Sequence, residues 1–253
     1  MMSGCSRGRG VRSLRWGVML SAVALVALVQ PGAGAGTEGG VALAIVYDTS
    51  GSMMDPVPDG AGKPRPKHLI AARALGVIVD RLQTYVTNAP AQAPRTLQFG
   101  LFAFDKGAAK EAIPFADFNP ERLRRQIKNL PSPAGSTPLG NALRMAWQQV
   151  SRSDLARRHI IVITDGENTS GPDPESVMRG LKAQADRQEA GVAVHFVAFD
   201  VDAKVFDGVK KLGATVLGAS NEQQLNTQLQ FILERKILLE DEEPPASSGA
   251  GAK

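Results

Sequence analysis

Three short stretches of the chain cluster oxygen-bearing side chains: "DTSGS" at 48–52, "GSTPLG" at 135–140 and "ITDGEN" at 163–168. Asp48, Ser50 and Ser52 occupy alternate positions, Thr137 precedes Pro138 and a helical pattern, and Asp165 ends an apolar run. Two carboxylates and three hydroxyls are hard oxygen donors. With no cysteine or histidine among them, they suit Mg2+, Mn2+ or Ca2+ better than zinc or copper. Each stretch also has an ordinary conformational use. Asp and Ser form turns, Asp165 with Gly166 is a common turn dipeptide, and Thr137 before proline is a good helix N-cap. Taken singly, each is better read as local structure; chemistry requires a fold that brings all three together.

The surrounding elements are of the kind that can do so. Strands are expected at 41–47 (VALAIVY), 98–104, 111–115, 159–164 (HIIVIT), 192–199 and 214–217. Three of these are nearly unbroken apolar runs, as in strands buried on both faces of a parallel sheet. The second and third are separated by only "DKGAAK", too short for a crossover helix, so they should pair antiparallel at a sheet edge. Helical spacing of apolar residues covers 67–87 (Ile70, Ala74, Val77, Ile78, Leu82, Tyr85) and 138–150 (Leu139, Ala142, Leu143, Ala146, Trp147, Val150). Further helices are expected at 120–130, 174–190 and 203–212. Another starts at 221, behind a capping box of Ser220 and Gln223 and with Leu225, Leu229, Ile232 and Leu233 as its stripe. The alternation describes an α/β fold, a doubly wound and mainly parallel sheet with helices on both faces. In such sheets ligands bind outside the carboxyl ends of the strands. Asp48 and Asp165 both stand there.

In order, spacing and context, the three stretches resemble the metal-ion-dependent adhesion site of von Willebrand factor type A (VWA) domains, and the resemblance extends over about residues 40–238. It implies a Rossmann-like sheet with one short antiparallel edge strand. It also implies that Ser50, Ser52 and Thr137 are hydroxyl ligands of a divalent cation, Mg2+ before Mn2+ or Ca2+, with Asp48 and Asp165 bound directly or through water. The last coordination position then falls to an Asp or Glu of a protein partner. Neutral hydroxyl ligands leave the ion strongly positive, which favours such a carboxylate. The loop at 53–68 borders the site, and Asp55, Asp59, Met53 and Met54 are candidates to tune it or touch a partner, although a plain solvated loop fits its composition better.

Other chemistries find little support. The string "GCSRG" at 4–8 has the GxSxG form but follows no strand, so no nucleophile elbow is indicated. An aspartyl phosphotransferase would want a second Asp where Ser50 stands, and no phosphate-binding GxxxxGK loop exists. His68, His159 and His195 are scattered without metal-ligand spacing and are read as structural. The expected function is a non-enzymatic protein-binding module for adhesion or assembly, with a structural subunit of a cell-envelope complex as the alternative.

Residues 1–35 follow a separate plan: arginines at 7, 9, 12 and 15, the apolar run "GVMLSAVALVALV", then small residues ending at Ala35. This is the form of a secretory signal peptide, and the run is short of the roughly 20 residues needed to span a bilayer. Export to the periplasm or outside the cell is expected, with no stable membrane insertion after cleavage. The net charge of +4 comes from the four arginines of this leader, so the remainder is formally neutral and its charge offers nothing to nucleic acid. The only cysteine, Cys5, also lies in the leader. A VWA domain over 36–239 and a polar, disordered tail over 240–253 complete the expected organisation.

Overall fold

The computed structural model describes residues 37–92, 94–188 and 191–238. The expected leader and the expected tail lie outside the described residues. Strands are β1 (Thr37–Tyr47), β2 (Pro56–Pro58), β3 (Pro64–Pro66), β4 (Leu97–Asp105), β5 (Ala108–Asp117), β6 (Leu155–Thr164), β7 (Ala193–Phe199) and β8 (Thr215–Ala219). Helices are α1 (Lys67–Thr87), α2 (Pro120–Ile127), α3 (Leu139–Val150), α4 (Pro174–Gln188), α5 (Asp207–Lys211) and α6 (Glu222–Ile232).

Six strands form one sheet in the order β5-β4-β1-β6-β7-β8, and only the β4–β5 pair is antiparallel. Central β1 explains the doubly wound form. Val41, Leu43, Ile45 and Tyr47 pack into one hydrophobic cluster with α1 and α6, whereas Ala42, Ala44 and Val46 pack into another with α3 and α4. Alternate side chains thus feed two cores, and a strand with apolar residues at every position is the sequence that permits it. Each fully buried Val, Leu or Ile contributes about 1.5–3 kcal/mol. From β1 the chain crosses by α1 to β4, and from β6 by α4 to β7 on the other side, so the connections diverge where β1 and β6 lie side by side.

Several details depart from the sequence reading. The edge hairpin turns on Lys106 and Gly107 alone, both at positive φ (51° and 82°), so β5 runs 10 residues and is not short. The expected helix at 203–212 divides into a 3-10 turn and the brief α5. Val77 is 44% exposed, because the buried stripe of α1 centres on Ile70, Ala74, Ile78 and Leu82. At α6 the cap is Asn221, whose side chain accepts from Gln224 N–H, and Ser220 bonds to Gln224 rather than Gln223. The α6 chain continues as a π-helix over Leu233–Leu238, keeping Leu233 and Ile237 buried.

Candidate metal site at the sheet edge

At the end of β1 the chain enters a 3-10 turn over Gly51–Met54. Asp48 is fully buried and its two oxygens are already used: Oδ1 accepts from Ser50 N–H at 2.7 Å and Oδ2 from the Thr164 hydroxyl at 2.6 Å. Burial raises its pKa above the usual carboxylate range, aided by the Asp165 charge and resisted by the hydrogen bonds from Ser50 and Thr164. The Ser50 and Ser52 hydroxyls lie 3.1 Å apart. Ser52 Oγ in turn donates to Asp165 Oδ1 at 2.9 Å, closing a contact across 113 residues.

The third stretch is held to the other two by backbone. Ala134 N–H donates to Thr49 O at 2.9 Å and Gly51 N–H to Gly135 O at 3.1 Å. Gly135 has φ of 79° and its Cβ position would press on the Lys106–Gly107 backbone, so glycine is required at that approach. Thr137 is buried and exchanges two bonds with Thr169: its N–H donates to Thr169 Oγ1 at 2.8 Å, and Thr169 N–H returns a bond to its carbonyl at 3.0 Å. It is not the helix cap expected from its place before Pro138. The helix starts at Leu139, no side chain of its own caps it, and Asn168 Oδ1 from the "TDGEN" loop accepts from Gly140 N–H at 3.2 Å. The Thr137 hydroxyl is thereby left out of capping.

Asp48, Ser50, Ser52 and Asp165 therefore form one connected set of oxygens, with Thr137 on the loop bonded to both neighbours. Among the described residues no group of three or more His, Cys, Asp or Glu side chains is arranged to hold a metal, so a cation here would depend on hydroxyl oxygens. The set fits such an ion: its donors are hard, and Ser52 is exposed while the other four residues are buried, so one side faces solvent.

Two charged groups in this cluster escaped the sequence reading. Lys67, the first residue of α1, is 4% exposed, and its ammonium lies 3.0 Å from Asp165 Oδ2 and 3.0 Å from Asp200 Oδ2. Burial lowers its pKa, but the bonds and charges of Asp165 and Asp200 more than reverse this, leaving it raised and charged. Asp200 follows β7 as Asp48 follows β1 and Asp165 follows β6. That all three strands run into an aspartate was open to a reader of the sequence; that they lie side by side was not.

Residues 42–230 match the family model of the von Willebrand factor type A domain. The chain belongs to the VWA family. No curated protein matches it. Solved structures of similar fold include the vWF domain of the type V pili tip protein Mfa5 from Porphyromonas gingivalis (14% identity, TM-score 0.56), with 76% of this chain and 93% of that one covered. The PilB minor pilin of Streptococcus sanguinis matches at 16% identity and TM-score 0.58, over 76% of this chain and 60% of the pilin. Proximal thread matrix protein 1 of the mussel byssus, with a zinc-occupied MIDAS motif, matches at 21% identity and TM-score 0.57, over 77% of this chain and 47% of that protein. The VWA chain thus spans less than two thirds of the pilin and about half of the byssus protein, and at these identities the likeness shows the fold alone.

The rim of the VWA site is more structured than a solvated loop. Met53 is fully buried and Asp59 organises the β2–β3 turn, accepting from Ala61 and Lys63 N–H at 2.9 Å each. Of the four rim candidates, Met54, at 51%, and Asp55 are exposed. The histidines are not all scattered: β6–β7 pairing brings His159 and His195 together, Nδ1 to Nε2 at 3.4 Å, with rings stacked at 5.7 Å. Among the described residues no helix is long and apolar enough to cross a membrane.

Proposed function

We propose that this VWA domain is an exported, non-enzymatic binding module that holds a divalent cation through Asp48, Ser50, Ser52, Thr137 and Asp165 and, through that cation, an Asp or Glu of a protein partner. VWA domains are commonly metal-dependent adhesion or protein-interaction modules, and the observation that carries the reading here is the Ser50–Ser52–Asp165 oxygen chain. Its spacings are 3.1 Å and 2.9 Å. Neighbouring oxygens lie about 2.9 Å apart around octahedral Mg2+ and about 2.8 Å apart in the equatorial ring of seven-coordinate Ca2+, so these spacings suit a hard divalent cation. A hard divalent ion can thus replace the hydrogen bonds by rotation of two hydroxyls, with little movement of the backbone; a set with only two carboxylates suits Mg2+, which is usually held by one or two carboxylates and keeps several waters. The cation supplies an electrophile for the partner's carboxylate. The protein keeps the donors together, buries all but Ser52 and leaves the solvent side for the partner.

The test has two arms. Asp48→Ala with Ser50→Ala should abolish the Mg2+- or Mn2+-induced rise in Tm while the domain still folds; an undiminished rise sinks the metal assignment. Capture of partners from cell-envelope extract should depend on Mg2+, and partners retained in excess chelator would place the interface elsewhere. The pilus proteins among the structural neighbours favour assembly or adhesion as the setting. A signal peptide over 1–35 and a periplasmic or secreted location are part of the same proposal.

A further inference from the structure

Lys67 is out of place by two local rules. A cation in the first turn of a helix opposes the amide dipoles, and a buried ammonium is costly to desolvate. It is kept there by Asp165 and Asp200, its side chain 5% exposed and Asp165's fully enclosed. The Asp165 carboxylate is consequently divided, Oδ1 toward Ser52 and Oδ2 toward the ammonium. Asp200 has φ of 58°, a left-handed conformation uncommon for a residue with a side chain, and its N–H is fixed to Ala219 O at 2.7 Å. Its carboxylate is 42% exposed, at the rim of the cluster.

We propose that Lys67 is a built-in counter-charge that sets the cation affinity of the site, and that Asp200 regulates it by sharing the same ammonium. This rests on the metal reading above. By occupying Oδ2, Lys67 limits Asp165 to one oxygen and cancels much of its charge, so the ion is held less tightly and stays more positive toward a partner's carboxylate. Asp200 draws part of the ammonium's field to itself. Without Asp200, Lys67 acts on Asp165 undivided.

The two residues therefore have opposite effects, which a purely structural role would not give. Mn2+ and Mg2+ binding to the isolated full chain, measured by titration calorimetry, should tighten about tenfold or more in Lys67→Met, from removal of a unit charge next to the ion. Asp200→Asn should weaken binding about threefold or more by the same Coulomb reasoning, and asparagine tolerates the left-handed conformation, so this variant should fold. In the Lys67→Met background Asp200→Asn should have a much smaller effect, because its action runs through Lys67. Without metal, Lys67→Met should melt lower than wild type and gain more from added Mn2+. Shifts in the same direction, no shifts, or an Asp200→Asn effect undiminished without Lys67 would overturn the proposal while leaving the metal site standing. Should Lys67→Met fail to fold, tighter or unchanged binding in Asp200→Asn alone overturns it. Failure of the wild type to bind either ion removes both the site and this role for Lys67.

Discussion

Acid should destabilise this domain through two buried histidines. His159 and His195 are 2% and 4% exposed. Burial, with the charges of His195 and Arg157 beside it, lowers His159 to about 3. Burial with Lys236 nearby lowers His195 to about 4. A histidine in the unfolded chain titrates near 6.5. Because the folded values are depressed, the unfolded state binds more protons below about pH 6.5, and stability falls as pH drops through the window from 6.5 toward the folded values. At pH 5 each histidine lies about 1.5 units below its unfolded pKa, a loss of about 2 kcal/mol each and about 4 kcal/mol for the pair. For a domain of this size that lowers Tm by about 10 °C. Carboxylates also titrate here, and Asp48, with its raised pKa, acts in the opposite direction. The assay is therefore a difference: urea unfolding at pH 7.5 and pH 5 for wild type and for His159→Leu/His195→Leu. The carboxylates are common to both and cancel. The double variant should lose about 4 kcal/mol less than wild type over that interval. Equal losses would refute the reasoning, showing that the pair is solvated or protonated in the folded domain.

Other outcomes test the frame around the site. Thr49 Oγ1 accepts from Phe104 N–H at 2.8 Å and donates to Phe104 O at 2.6 Å, so Thr49→Val leaves two buried backbone groups unpaired. It should cost about 2–4 kcal/mol in urea unfolding; a cost under half of that would mean water reaches β4. Gly140 has no room for a methyl group, which would collide with the Pro172 carbonyl oxygen. Gly140→Ala should destabilise by about 2–3 kcal/mol and, by pushing α3 from the loop carrying Asn168 and Thr169, weaken cation binding as well; an unchanged melt would show that the loop yields freely.

Much of this architecture was readable because it is local. The unbroken apolar runs of β1 and β6 require burial on both faces, and the six residues between two strands excluded a crossover. The metal stretches are also local, each a strand end or helix start. Lys67 was hidden because nothing in its neighbourhood marks it: it opens an amphipathic helix, where lysine normally faces solvent, and its partners come from strands 98 and 133 residues away in sequence. Asp200 needed the strand order as well as the strands. The histidine pair depends on register, since His195 lies opposite Ile161 and reaches His159 diagonally along the same face. The ordinary alternative for Thr137, a helix cap, suits its sequence neighbours but is not made, because the donor at α3 is satisfied by Asn168 from across the sheet edge.

The most direct measurement of the central claim is a crystal of the full chain soaked in Mn2+, with anomalous difference density collected near the manganese edge. The account predicts one strong peak within coordination distance of the Ser50 and Ser52 hydroxyls and beside Thr137 and Asp165, absent from Ser50→Ala/Ser52→Ala crystals. No peak there, or a peak that survives that substitution, would contradict it.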